Sequence, residues 1–223
     1  MGSGRRELGA ALFGLVSHSQ IDATLMGHAF APECPSDAIN AGFCLLPEER
    51  RSASLFPHMS TLENSTIATL DRFERGAFVN GTLEASATEN VFGKVRLASQ
   101  KLKVSISDLS GGNQQKAILV RWLLVQPRIL FLDEPTRGID VGAKEQIYEL
   151  IDDLARQGTA VILVSSEMPE LLRCADRVIV LREGRQAGIV EVGSTSQEQI
   201  LAMATGLGTG PATVIDRTVN TVQ

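Results

Sequence analysis

Apolar residues along the chain gather in short unbroken runs, separated by longer stretches with helical spacing. Phe43–Leu46, Ile129–Leu132 and Thr159–Val164 are such runs, bounded by proline, glycine or charge. Runs this short predict strands buried on both faces, as in a parallel sheet. Arg177–Leu181 and Arg185–Val192, joined through Glu183-Gly184, predict the closing strands. The segments between them predict helices. Val141–Gln157 is amphipathic and stopped by Gly158. Glu7–Leu15, Ala117–Val125, Met168–Cys174 and Ser196–Ala204 are further helical stretches. Ile21–Ala31 predicts a hairpin through Gly27-His28, and Pro35-Ser36-Asp37 a cap for a short helix reaching Gly42. Residues 61–107 predict two helices. Thr61 is the expected cap of the first, Gly76–Gly81 the break, and Glu84–Leu102 the second, weakened by Gly93.

The richest chemistry lies between Asp108 and Lys144. Ser110 is a good N-cap residue, and Gly111-Gly112 behind it leave bare backbone N–H groups at a helix start. Such an end attracts phosphate, because donors and dipole both point outward. The run Ile129–Leu132 then delivers two carboxylates, Asp133 and Glu134, to the carboxyl end of a strand. Ligands of open α/β sheets bind at that end. In nucleotide hydrolysis one such acid holds Mg²⁺, and the next orients and polarises a water. Each feature alone is commonplace: a loop, and a solvated turn. Their order and spacing together are specific.

Leu109-Ser110-Gly111-Gly112-Asn113-Gln114, Ile129–Glu134 and Arg137-Gly138-Ile139-Asp140 resemble the signature, Walker B strand and D-loop of ABC-type ATPases. Asn113-Gln114-Gln115-Lys116 and the stretch from Glu134 to Lys144 resemble one branch of them. That branch is the carboxy-terminal ATPase domain of bacterial monosaccharide importers of the ribose, galactose and xylose type. The resemblance runs from Gly2 to about Gly206. It implies an α/β P-loop NTPase of ABC type, with a mostly parallel sheet flanked by helices and an inserted helical lobe at about 57–125. It implies an ATPase domain over 1–206, followed by a disordered tail, 207–223.

The resemblance also assigns roles. Glu134 is the expected catalytic residue and Asp133 the Mg²⁺ ligand. Gly2, Ser3, Gly4, Arg5, Arg6, Glu48 and Ser166 are the expected nucleotide-binding positions. Leu109, Ser110, Gly111, Gly112, Asn113 and Gln114 form the signature, and Gly138, Ile139 and Asp140 the D-loop. Several positions depart from the commonest pattern. Arg5 stands where a phosphate loop has lysine, and Arg6 where it has the Mg²⁺-binding Ser or Thr. A planar guanidinium is not a conservative replacement for an ammonium. Glu48 or Glu49 takes the place of a glutamine, as this branch tends to do, and Ser166 that of a histidine near the γ-phosphate. By themselves the first eight residues read rather as a flexible tail or a tag-like scar, and only the resemblance reverses that preference. On the resemblance, the strand and β-subdomain that precede such a loop would lie before Met1. The chain then reads as a fragment, a late start or one piece of a double-domain gene, with an unpaired sheet and little ATP turnover alone.

With 223 residues, 43% hydrophobic and 21% charged, the composition is that of an ordinary globular domain large enough to bury a sizeable core. A net charge of −5 argues against nucleic acid as the main partner. No apolar run reaches bilayer length and no signal peptide is evident. Cys34, Cys44 and Cys174 are scattered, which predicts reduced, structural thiols. His18, His28 and His58 suggest no metal site.

The resemblance implies ATP and Mg²⁺ as cofactors. It implies a second ABC ATPase domain packed head to tail, membrane permease subunits, and indirectly a periplasmic sugar-binding protein. The place of work is the cytoplasmic face of the inner membrane, as a peripheral subunit. The stretch Pro47–Asn64 is the expected groove for the permease. The intact signature serves the partner's site, and the local site, with Arg5, Arg6 and Ser166, is the weaker of an unequal pair. Two other readings stand beside this one: an ABC ATPase of another class, and a non-catalytic remnant.

Overall fold

The structure, a computed structural model, describes residues 3–16, 21–49, 54–76 and 78–206. The chain forms two compact units, one of Gly9–Ser166 and one of Met1–Leu8 with Glu167–Gln223. Gly2 and the expected tail, 207–223, lie outside the described residues, as do residues 50–53 of the expected groove.

Eight helices and nine strands are described. They are α1 (Arg5–Leu12), β1 (Thr24–Leu25), β2 (His28–Ala29), α2 (Pro35–Asn40), β3 (Phe43–Leu46), α3 (Thr61–Thr66), β4 (Glu74–Arg75), β5 (Phe78–Val79) and α4 (Gly81–Lys94). Then come α5 (Gly111–Val125), β6 (Ile129–Asp133), α6 (Val141–Arg156), β7 (Ala160–Val164), α7 (Met168–Cys174), β8 (Arg177–Arg182), β9 (Arg185–Glu191) and α8 (Gln197–Thr205).

In the larger unit, β6 lies between β3 and β7, and both pairings are parallel. Its residues Leu130, Phe131 and Leu132 are almost wholly buried, as an unbroken apolar run requires. Phe131 stacks obliquely on Phe43, and Phe43 on Phe30, with centroids 6.3 and 5.6 Å apart. Gly9 admits the edge of the Phe131 ring, since a Cβ there would sit 3.0 Å from it. Strand β7 departs from expectation. It is only half-buried, and Ile162 is exposed; among the described residues it pairs with β6 along one edge.

Helices α3, α4 and α5 pack into a layer within the same unit. Ser60, one residue before the expected Thr61, caps α3. Its hydroxyl accepts from the Glu63 amide at 3.2 Å, and the Glu63 carboxylate accepts from the Ser60 amide at 2.7 Å. The Ser60 hydroxyl, which donates to the same carboxylate at 2.7 Å, and then the Ser60 amide hold the Glu63 carboxyl below its usual range. At the break expected over Gly76–Gly81, β5 pairs antiparallel with β4 just before it, and α4 begins at Gly81 behind the Asn80 cap. Helix α4 ends at Lys94, short of Leu102, where Arg96 turns the chain with φ +52°. Helix α1 begins earlier and ends earlier than its expected span, Glu7–Leu15. Helix α5 begins at Gly111 and is buried nearly all round.

In the smaller unit, β8 and β9 form an antiparallel hairpin. Val178 and Val180 on β8 pack with Ile200 of α8, against Met168, Leu172 and Met203. Cys34, Cys44 and Cys174 form no disulfide; Cys34 is exposed and Cys44 buried. Burial pushes the Cys44 thiol up to about 12, so it stays protonated.

Because Phe131 fills the centre of the sheet's packing, Phe131→Ala is expected to destabilise the chain by about 3–5 kcal/mol. Urea unfolding followed by circular dichroism measures this.

Candidate functional site

The parallel register sets the site. Leu46 is level with Leu132, and Asp133 with Val164. The residues that follow each strand, Glu48, Glu134 and Ser166, therefore emerge at one rim of the sheet. This is the carboxyl end, where open parallel sheets bind ligands.

Asp133, the last residue of β6, is buried. Glu134 leaves the strand with φ +50°, a left-handed conformation that costs a non-glycine residue of order 1 kcal/mol. Two bonds hold it there. Its amide donates to the Val164 carbonyl at 2.8 Å, and its carboxylate accepts from the Ser166 hydroxyl at 3.0 Å. The chain then closes a tight turn. The Arg137 amide donates to the Glu134 carbonyl, and the Ile139 amide to the Thr136 carbonyl, both at 3.2 Å. From that turn the Arg137 guanidinium reaches an ion pair with Glu48, whose side chain is 9% exposed.

The signature segment lies in the same unit. Ser110 occupies the N-cap position of α5, but its side chain makes no cap bond, contrary to its sequence propensity. Gln114 is buried and donates from Nε2 to the Ile106 carbonyl at 3.1 Å, which holds the approach to the helix. Gly112 lies at ordinary packing distance from the turn after β6. A Cβ there would meet Ala143 at 3.4 Å and Ile139 at 3.5 Å. The signature helix and the Gly138-Ile139-Asp140 segment are thus in contact. Gly138 turns the chain with φ +68°, and Asp140 caps α6, accepting from the Ala143 amide at 2.9 Å. Burial chiefly, with Arg96 and Lys101 nearby, lowers the Lys116 pKa; its ammonium donates to the Arg96 carbonyl and to Gln146.

Two features had no counterpart in the sequence reading. Asn64 ties the 56–60 segment together: its side chain accepts from the Phe56 amide and donates to the Phe56 and Ser60 carbonyls. Its own carbonyl accepts from Nε of buried Arg121 on α5 at 2.7 Å. Burial lowers the Arg121 pKa to about 10, so it remains a cation at neutral pH. Beside this segment Leu55, Pro57, Ile106, Ser107 and Gln114 line a cavity of about 340 Å³. The other feature is the Glu48–Arg137 pair. Its only signal in sequence was an arginine directly after Glu134-Pro-Thr.

In the smaller unit, Gly4 has φ +87° and its carbonyl accepts from the Leu8 amide, opening α1. Gly4 lies against Gly184, whose amide donates to the Ser3 carbonyl at 3.3 Å. Arg5 donates from Nε to the Ser3 hydroxyl at 3.0 Å, and Arg6 follows on the first turn of α1.

A parallel sheet with acids at its carboxyl rim and a glycine-led helix beside it fits a P-loop NTPase of the ABC type. A dimeric ATP-binding cassette in a post-hydrolysis state, bound to ADP and Pi, superposes with a TM-score of 0.71 at 20% identity, over 85% of this chain and 81% of that one. A nucleotide-free cassette from an ABC transporter gives 0.73 at 17% identity, over 91% and 80%. The ABC transporter family pattern matches residues 2–137, and the chain belongs to that family.

Among relatives, the ribose import ATP-binding protein RbsA of Chromobacterium violaceum is 42% identical over 92% of this chain and 41% of its own length. That of Clostridium perfringens is 41% identical over 93% and 42%. A Pseudomonas fluorescens protein assigned to ribose, galactose and methyl galactoside import is 45% identical over 93% and 40%. The chain thus spans about two-fifths of the length of the curated relatives it matches. Among the described residues no helix is long and apolar enough to cross a membrane.

Two caps that look alike in sequence differ in the structure. Asp140→Ala is expected to cost about 1 kcal/mol of stability, whereas Ser110→Ala costs a few tenths at most, on the order of an unused cap. Parallel urea titrations of the two variants measure the difference.

Proposed function

We propose that this chain is the ATP-binding subunit, or the carboxy-terminal half of one, that drives monosaccharide import across a bacterial inner membrane. The observation that carries the reading is the rim itself: Asp133 and Glu134 on β6, with Glu134 held by Ser166. The 41–45% identity to sugar-import ATP-binding proteins supports the substrate class. Residues 1–206 are the ATPase domain on this reading, with a helical lobe at about 57–125.

The donor chemistry suits Mg²⁺, which favours one or two hard carboxylates together with phosphate oxygens and water. Asp133 is the ligand the chain offers, and Arg6 leaves the phosphate loop without the usual hydroxyl. When bound, the ion neutralises charge on the terminal phosphates of ATP. Glu134 orients the attacking water and accepts its proton at the carboxylate. The Ser166 hydroxyl holds that carboxylate by a neutral bond and brings no charge of its own. Gly2, Ser3, Gly4 and Arg5 cradle phosphate, with Arg5 as the loop cation. Glu48 stands at the hinge end of β3.

The working assembly pairs this domain head to tail with a second ABC ATPase domain. The signature, Leu109–Gln114, faces the nucleotide on that partner, where the bare amides of Gly111 and Gly112 stabilise phosphate charge. The D-loop residues Gly138, Ile139 and Asp140 lie at the same junction. The 54–60 segment with its cavity receives a cytoplasmic loop of the permease, so closure of the ATPase pair moves the membrane subunits. A periplasmic sugar-binding protein acts through those subunits, and nucleic acid has no part. The chain sits as a peripheral protein on the cytoplasmic face.

Arg5, Arg6 and Ser166 make the local site the slower of two. In membranes carrying the complete assembly, Gly111→Asp places a carboxylate against the partner's γ-phosphate. Repulsion on the order of several kcal/mol then abolishes turnover. Glu134→Gln is expected to reduce ATPase and sugar uptake much less. Equal damage from the two substitutions would mean that both sites hydrolyse.

A further inference from the structure

Of the acids at the rim, the Arg137 guanidinium pairs with Glu48. Glu48 follows β3 and Arg137 follows β6, so their ion pair bridges the carboxyl ends of two neighbouring strands. The arginine side chain is 66% exposed and that of Glu48 only 9%, so a cation from the surface neutralises a largely buried carboxylate. Removing that cation takes away the positive charge set against this carboxylate.

The backbone of Arg137 also belongs to the turn that begins at Glu134. Glu134 is strained, with φ +50°, and is held from the β7 side by the Val164 carbonyl and the Ser166 hydroxyl. From the other side the turn is held by the reach of Arg137 to Glu48. A strained conformation persists only where its surroundings over-determine it. The two strand ends flanking β6 supply those restraints, one on each side. A planar guanidinium fixes direction as well as charge, which a lysine does less well.

We propose that Arg137 is a positioning residue: its pairing with Glu48 keeps the Glu134–Ile139 turn closed and so aims the Glu134 carboxylate at the reacting water. The proposal rests on the ATPase reading. It adds a residue that touches neither nucleotide nor metal.

The test has two arms. In the complete assembly in membranes, Arg137→Gln is expected to lower kcat about tenfold, with the apparent KM for ATP changed by no more than about twofold. Arg137→Lys, which keeps the charge and loses the fork, recovers part of the loss. In a Glu48→Gln background, Arg137→Gln adds little, because the pair is already broken. The second arm is amide hydrogen exchange on the purified full chain without nucleotide. Arg137→Gln is expected to speed exchange at Arg137 and Ile139 about tenfold, with Ala143, capped by Asp140, unchanged.

Multiplying effects of the two substitutions, or an unchanged kcat beside faster exchange, would overturn the positioning role. Absence of ATP turnover in the unsubstituted assembly would instead sink the ATPase reading. The exchange arm would then decide the tie by itself, and unchanged exchange at Arg137 and Ile139 would overturn it.

Discussion

The candidate site depends on one pairing arrangement: β6 held between β3 and β7 by parallel ladders on both edges. Parallel strands present their carboxyl ends on a common rim. The register, Leu46 beside Leu132 and Asp133 beside Val164, brings Glu48, Glu134 and Ser166 out at one level. A slip of one residue would turn Leu130 and Leu132 to the opposite face and separate these side chains. The fit of the Phe131 ring against Gly9 and Phe43 opposes such a slip. Hydrophobic packing thus does the positioning, and the polar chemistry sits at the end of it.

Around that rim each acid has its own restraint. Glu134 is bound through backbone and side chain to the end of β7, and Glu48 is neutralised by Arg137. Asp133 is buried at the strand's end. The strained backbone at Glu134 fits a site whose geometry is fixed before any ligand arrives.

A second set of contacts ties the signature helix to the segment beside the cavity. Arg121 on α5 bonds the carbonyl of Asn64, whose side chain holds the Phe56 and Ser60 backbone. The Arg121 guanidinium also lies 6.0 Å from the Phe56 ring centroid. Movement of α5 therefore has a hydrogen-bonded route to residues 54–60. Gly112, close to Ile139 and Ala143, links the other end of that helix to the turn after β6.

Local pattern and spacing determined a good deal of this protein. The short apolar runs at Phe43–Leu46 and Ile129–Leu132 are strands, because continuous burial is what a central parallel sheet demands. The acidic pair was legible because it directly follows such a run, and Gly158 and Pro35 marked helix limits by their own backbone chemistry. Other features depend on partners distant in sequence. Strand β7 is apolar throughout, yet it is half-exposed, since coverage is set by neighbouring elements and not by composition. Ser60 took the cap from Thr61 because Glu63, three residues on, completes a reciprocal bond with it. Ser110 has the right side chain for a cap and does not use it. The left-handed Glu134, its bond from Ser166 32 positions away, and the pairing of Arg137 with Glu48 exist only after the sheet has formed. Sequence carries the propensities of single residues and short segments. Which charges meet is decided by strand order and register, and those follow from burying the sheet.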